Sequence, residues 1–152
     1  MQGFLKPYAM RAGILGGIVG IVVLLLSLIP IVGLCFALLV WVVYVGTGVF
    51  AVMQGKNQGA AMTIQQGAMD GAAAGGIAGV IAHVVKFVID IILGVVFSVG
   101  LANSAGDATS GIAASLIGNC LGLVFGIIGA IVLGAVGGLI YAAIQQNQKK
   151  TA

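Results

Sequence analysis

The sequence predicts an all-α membrane protein with four transmembrane helices, arranged as two hairpins and packed through glycine/alanine ladders. The 152 residues are 61% hydrophobic and 6% charged, whereas soluble domains carry about 25% charged residues. The apolar residues form four runs, each long enough to cross a hydrocarbon core of about 30 Å. The 26 glycines lie inside these runs without a linker or collagen repeat, and glycine is commoner in membrane helices than in soluble ones. We therefore expect residues 1–152 to form a single integral membrane domain.

The first two spans are predicted at 13–29 and 31–52, on either side of the segment Ser27–Pro30. Proline removes a backbone donor and disfavours helix at the residue before it, so the break is expected there. The short connection predicts a tight helical hairpin.

The third and fourth spans are predicted at 67–101 and 112–144, after a polar segment at 54–66 and around a loop at 102–111. Thr63 with Gln66 three residues later fits a capping box, which places the helix start near Thr63. Thirty helical residues measure about 45 Å, more than the hydrocarbon core. These two helices are therefore expected to tilt, protrude or break.

The basic residues predict the orientation. With four spans, both termini and the 54–66 loop lie on one side of the membrane, and all five lysines and arginines outside the spans fall there. They are Lys6, Arg11, Lys56, Lys149 and Lys150. Asp107 is the only charged residue in the loops predicted on the opposite side. The positive-inside rule makes the basic side cytoplasmic, which predicts a multi-pass protein of the cell membrane with both termini in the cytoplasm.

Small residues recur at every fourth position in the third and fourth spans. Such rows let helix backbones approach closely, which is how membrane helices associate. The predicted helix-packing residues are Gly67, Gly71, Gly75, Gly79, Gly118, Gly122, Gly126, Gly134 and Gly138, with Ala114, Ala130 and Ala142 completing the second row. Three interpretations stay open: packing within the chain, packing against a copy or a larger complex, and a glycine-lined pore.

Three segments carry a resemblance: Ser27–Pro30, Gly67–Ala72 and Gly134–Ile140. In these the chain resembles uncharacterised small four-span, glycine-rich integral membrane proteins of bacteria and archaea. The resemblance covers most of the chain and implies a four-helix membrane fold. It implies no function.

His83, Lys86 and Asp90 form a polar cluster inside the third span. Ionisable groups in a span usually pair, face the bundle interior or serve a function. One hypothesis is a structural ion pair between Lys86 and Asp90 with a hydrogen-bonded histidine, or with the charged groups reaching the outer interface. A second is a path for protons or ions. A third is a tetrapyrrole site, in which Gly79 leaves room for a flat ring ligated by His83.

The sequence indicates no enzyme, since it has one histidine, no glutamate and no nucleophile or phosphate-loop motif. It predicts no metal or cofactor beyond the His83 hypothesis, and the scattered basic residues argue against nucleic-acid binding. The predicted function is a structural or accessory membrane subunit that assembles through glycine-zipper helices, as a homo-oligomer or within a larger complex. The alternatives are a small oligomeric proton or ion channel using the cluster, and a tetrapyrrole-binding subunit.

Overall fold

The computed structural model describes residues 6–27, 29, 33–60, 63–101 and 108–151. At 33–37, 95, 97–101, 108–115 and 149–151 it describes the backbone alone. Asp107 and the rest of 102–107 in the predicted outer loop lie outside the described residues, as do Leu28 and Pro30 of the break between the first two spans.

The described chain is all-helical. Its four helices are α1 (Pro7–Leu26), α2 (Gly33–Asn57), α3 (Ile64–Leu101) and α4 (Ala108–Thr151). All four are long and apolar enough to cross a membrane. The chain is thus a candidate multi-pass membrane protein, as its composition predicts.

The helix ends have local causes. Pro7 occupies the first position of α1, where its missing N–H costs nothing. At the end of α2 the Ala60 N–H donates to Gly55 and the Gly59 N–H donates to Lys56, at 3.0 and 2.9 Å. Gly59 has φ +76°, so this is a Schellman motif that only glycine adopts without strain.

The capping box predicted at the start of α3 is present. The Gln66 N–H donates to the Thr63 hydroxyl at 3.1 Å, and the Thr63 N–H donates to the Gln66 side chain at 3.4 Å. From there α3 continues unbroken for 38 residues, and α4 for 44. Of the three outcomes expected for over-long helices, a break is therefore wrong for both.

In the described part of the chain, α1 packs on α2 and α3, and α4 packs on α2 and α3. α2 and α3 also contact each other, whereas α1 and α4 do not. The helices thus form a four-cornered bundle with α2 and α3 across its short diagonal.

Most buried residues of the bundle are small, with Tyr8 and Tyr44 as large exceptions, and many large aliphatic residues face outward. The buried alanines are Ala9, Ala12, Ala51, Ala73, Ala74, Ala78, Ala82, Ala130 and Ala142. On the outside, Leu38 and Phe125 are each 69% exposed and Trp41 is 58% exposed. Exposure of so much apolar surface to water is unfavourable, whereas its contact with lipid is not. A core of small side chains permits close helix packing.

Candidate functional site

Lys86 and Asp90 form the ion pair that their spacing on α3 predicts. The Lys86 ammonium donates to Asp90 Oδ2 one helical turn further on. The two side chains are 46% and 20% exposed, so the pair lies at the bundle surface. Its charges neutralise each other without leaving either group deep in the core.

His83 lies apart from this pair, between α2 and α4. Its Nδ1 lies 2.9 Å from the Gly79 carbonyl oxygen and 3.3 Å from the Tyr44 hydroxyl. The Tyr44 and His83 rings stack with centroids 6.1 Å apart. On the other side, a Cβ added at Gly126 would lie 2.8 Å from His83 Cε1 and closer still to Nε2. The imidazole is therefore held on both sides by neighbouring helices.

This arrangement does not provide the geometry of a tetrapyrrole site. The space beside Gly79 that would accept a ring is filled by α4, since a Cβ there would lie 2.6 Å from Ala130 Cβ. Nδ1 is occupied by the Gly79 carbonyl and Nε2 faces the α4 backbone at Gly126. A macrocycle beside Gly79 or on Nε2 would therefore have to displace part of α4.

The ion pair lies level with the end of α1. Leu25 and Ser27, at the end of α1, border the same cavity as Lys86 and Asp90. α3 continues eleven residues past Asp90 to Leu101, about 16 Å. The α3–α4 pair therefore extends beyond the end of α1.

A second polar cluster, at the opposite end, joins α1 to α3. Asp70 is 4% exposed, accepts a hydrogen bond from the Tyr8 hydroxyl at 2.6 Å and pairs with the Lys6 ammonium at 3.1 Å. Interaction with the Tyr8 hydroxyl, and then with Asp70, raises the pKa of Lys6 above its usual 10.5. Lys6 therefore stays charged at neutral pH and balances the buried carboxylate.

Sequence reasoning missed this cluster, because 62 residues separate Tyr8 from Asp70. One signal was present: an aspartate seven residues into an apolar helix needs a partner, and Lys6, Arg11 and Lys56 are predicted on the same side of the membrane. Asp70 and Asp90 are twenty residues apart on α3, about 30 Å. The two ion pairs are thus separated by about the thickness of a hydrocarbon core.

The glycines of α3 are in close contact with α4. A Cβ at Gly67 would lie 2.6 Å from Ala142 Cβ, and one at Gly71 would lie 3.0 Å from Gly138 Cα. At Gly75 the nearest Cα is that of Gly134, at 2.9 Å. Any side chain at these positions would force the two backbones apart.

The small residues at every fourth position of α4 do not all have the same environment. Gly126, Gly134 and Gly138 are in contact with α3, whereas Gly118 and Gly122 are exposed and have no described atom within 4 Å of an added Cβ. A step of four residues turns an α-helix by about 400°, so the row drifts about 40° per step. Over five steps, from Gly118 to Gly138, it therefore moves to the opposite side of the helix.

Two cavities flank the Lys86–Asp90 pair. One, of about 230 Å³, lies between α1 and α3 and is otherwise lined mainly by aliphatic side chains. The other, of about 150 Å³, lies between α3 and α4 and includes His83 and Asn119. Asn119 is a polar group that the sequence analysis did not select. Both cavities open to the outside of the bundle, and the ion pair lies between them.

Comparison with known proteins identifies no relative: no family model, no curated protein and no solved structure matches the chain. Any function must therefore be argued from the residues. Within the described residues, no three histidine, cysteine, aspartate or glutamate side chains are grouped so as to hold a metal ion.

Proposed function

We propose that this chain is a structural or accessory subunit of a membrane assembly, and that it packs by glycine-zipper contacts both within itself and with a partner. The observation that carries the proposal is the contrast along α4. Gly134 and Gly138 are buried against α3, whereas Gly118 and Gly122 are exposed on the part of α4 that lies level with and beyond the end of α1.

The physical reason is the weak driving force for helix association in lipid. Lipid chains are as apolar as leucine, so an exposed leucine or phenylalanine gains little from a protein partner, whereas small residues permit close backbone contact. Within the chain, α3 and α4 make such a close backbone contact at Gly71 and Gly134. At Gly118 and Gly122 a helix of a second copy, or of another membrane protein, could make the same close backbone contact.

The proposal includes the arrangement of the chain in the cell membrane. α1 with α2 and α3 with α4 form two hairpins, and both termini lie in the cytoplasm with Lys56. The basic residues outside the spans support this orientation. A reagent that cannot cross the membrane should label Asp107→Cys but not Lys56→Cys in intact cells, with Cys35 and Cys120 replaced by alanine. Labelling at position 56 alone would reverse the orientation.

Assembly is tested by purifying the chain from its native membrane in mild detergent and measuring its mass by light scattering and native mass spectrometry. We expect a homo-oligomer or a complex of defined stoichiometry. Gly118→Leu should reduce the assembled fraction without lowering helix content or monomer stability, because no described atom of the chain lies within 4 Å of the added Cβ. Gly46→Leu, on α2, is the matched control, since Gly46 is also exposed with no described neighbour. A monomer in every preparation, or equal effects of the two variants, would refute the proposal.

The second candidate is a small oligomeric proton or ion channel. The cavity of about 150 Å³ that His83, Lys86, Asp90 and Asn119 border favours it. From this cavity toward Asp70, however, close contacts at Gly75 and Gly79 fill the interface between α3 and α4. A path for ions across the membrane would therefore have to run between copies of the chain. Proteoliposomes with a pH-sensitive dye discriminate the two functions. A channel predicts flux that is lost in His83→Leu and Asp90→Leu, and a structural subunit predicts no flux above that of empty liposomes.

A further inference from the structure

If the Lys6–Asp70 pair marks one boundary of a hydrocarbon core of about 30 Å, the Lys86–Asp90 pair lies at the other boundary, where lipid headgroups begin. It is at the level where α1 ends, and it is about 30 Å along α3 from the Lys6–Asp70 pair. The neighbouring outward positions on α3 are apolar, with Val88 50% and Ile92 56% exposed. A molecule that reaches the pair from the side must therefore come through the lipid phase.

The pair retains unused hydrogen-bonding capacity. The Lys86 ammonium has three donors and the Asp90 carboxylate about four acceptor sites, and their mutual contact uses one of each. Both side chains border both cavities. Each cavity is far larger than the roughly 10–15 Å³ that one water needs.

The cavity between α1 and α3 combines charge with an apolar wall. Ile21, Leu24, Leu25, Val85 and Ile89 line it beside the ion pair, together with Ser27. One end of a bound molecule would contact the charges and the other would lie along aliphatic side chains. This is the chemistry of a phospholipid.

We propose that this cleft binds a zwitterionic phospholipid whose headgroup carries a primary ammonium, a phosphatidylethanolamine. Its phosphate accepts hydrogen bonds from Lys86, and its ammonium donates to Asp90. The upper part of one acyl chain lies between α1 and α3 against Leu25 and Ile89. The pair has no net charge, so it complements a neutral headgroup with separated charges better than an anionic one. A quaternary choline has no N–H to donate to Asp90 and is bound more weakly.

Native mass spectrometry tests this on the full-length chain, delipidated and incubated with equal amounts of phosphatidylethanolamine, phosphatidylcholine and phosphatidylglycerol. We expect a one-to-one phosphatidylethanolamine adduct to dominate. Lys86→Gln and Asp90→Asn should each weaken it about tenfold or more, since each removes a charge-assisted hydrogen bond. Lys56→Gln is the matched control and should leave binding unchanged, because Lys56 lies at the other end of the bundle beside Gln145.

Leu25→Trp is a second probe that leaves the ion pair in place. Leu25 borders the cavity between α1 and α3 and is already 46% exposed, so the larger side chain can fill the cleft without disturbing the core. It should abolish the adduct while circular dichroism remains that of the wild type. The proposal is overturned if phosphatidylglycerol binds as well as phosphatidylethanolamine, if choline and ethanolamine lipids bind equally, or if Leu25→Trp retains the adduct.

Discussion

Gly134→Ala is expected to destabilise the bundle, whereas Gly129→Ala on the same helix is not. A methyl carbon at Gly134 would lie 2.8 Å from Gly75 Cα and closer to the Gly71 carbonyl oxygen. Carbon atoms pack at about 3.5–4.0 Å, so α3 and α4 must separate by roughly 1 Å at this point. Overpacking of this kind costs about 1–3 kcal/mol. At Gly129 an added methyl meets no described atom within 4 Å, and alanine is the better helix former by about 0.5–1 kcal/mol.

The two variants should therefore differ by about 1–3 kcal/mol or more in free energy of unfolding. Reversible unfolding in mixed micelles of mild detergent and dodecyl sulfate, followed by circular dichroism, measures that difference. Gly71→Ala should have a similar cost, and the double variant with Gly134→Ala should cost less than the sum, because one separation of the helices relieves both contacts. If Gly134→Ala and Gly129→Ala unfold alike, the close approach of α3 and α4 at Gly134 is wrong.

Three further predictions concern the ion pairs. Tyr8→Phe should lower the free energy of unfolding by about 1.5–3 kcal/mol, since the buried Asp70 carboxylate loses a hydrogen bond from a hydroxyl 2.6 Å away. The Lys6–Asp70 pair should contribute to stability below pH 10.5 and lose its contribution as the pH rises through the raised pKa of Lys6, which a pH series of unfolding curves measures. Lys86→Met or Asp90→Leu alone should cost less than about 1 kcal/mol, because the partly exposed pair meets headgroups and water at the level inferred above, and the double variant should recover part of that loss.

Each of these has a contrary outcome. An unchanged unfolding curve for Tyr8→Phe would mean that Asp70 finds another donor, and Phe50→Leu, at an outward-facing position, controls for changes in aromatic content. Stability that falls between pH 7 and 9 would contradict a raised pKa of Lys6. A loss of about 3–5 kcal/mol in Lys86→Met would indicate a fully desolvated pair, and the contact of this pair with headgroups and water would be wrong.

Much of the helical framework could be read from local sequence. Long apolar runs predict four helices, and Thr63 with Gln66 marks the start of α3. The i,i+4 spacing predicts the pairing of Lys86 with Asp90. These features depend on residues within one or two turns of each other, so periodicity and capping chemistry suffice to predict them.

The extent of the helices was less predictable. All four helices include polar residues beyond the predicted spans; α2, for example, continues from 52 to Asn57. Hydropathy marks where lipid contact becomes unfavourable, whereas a helix ends where its backbone carbonyls find other donors. For α2 those donors are the N–H groups of Gly59 and Ala60.

What the sequence by itself determined is the number and approximate position of the helices and which residues are small, large or charged. Which small residues are buried was decided by the tertiary structure, because a row at every fourth position winds around its helix and α3 covers only Gly126, Gly134 and Gly138 among the row's glycines. The partners of Asp70 were also decided there, since α1 and α3 run side by side only in the folded bundle. The same packing encloses the His83 ring between Tyr44 and Gly126 and leaves Lys86 at the surface, although one turn separates them in sequence. Spacing along a helix sets the angle between two side chains around the helix axis. Only the neighbouring helices determine which side chains face protein and which face lipid.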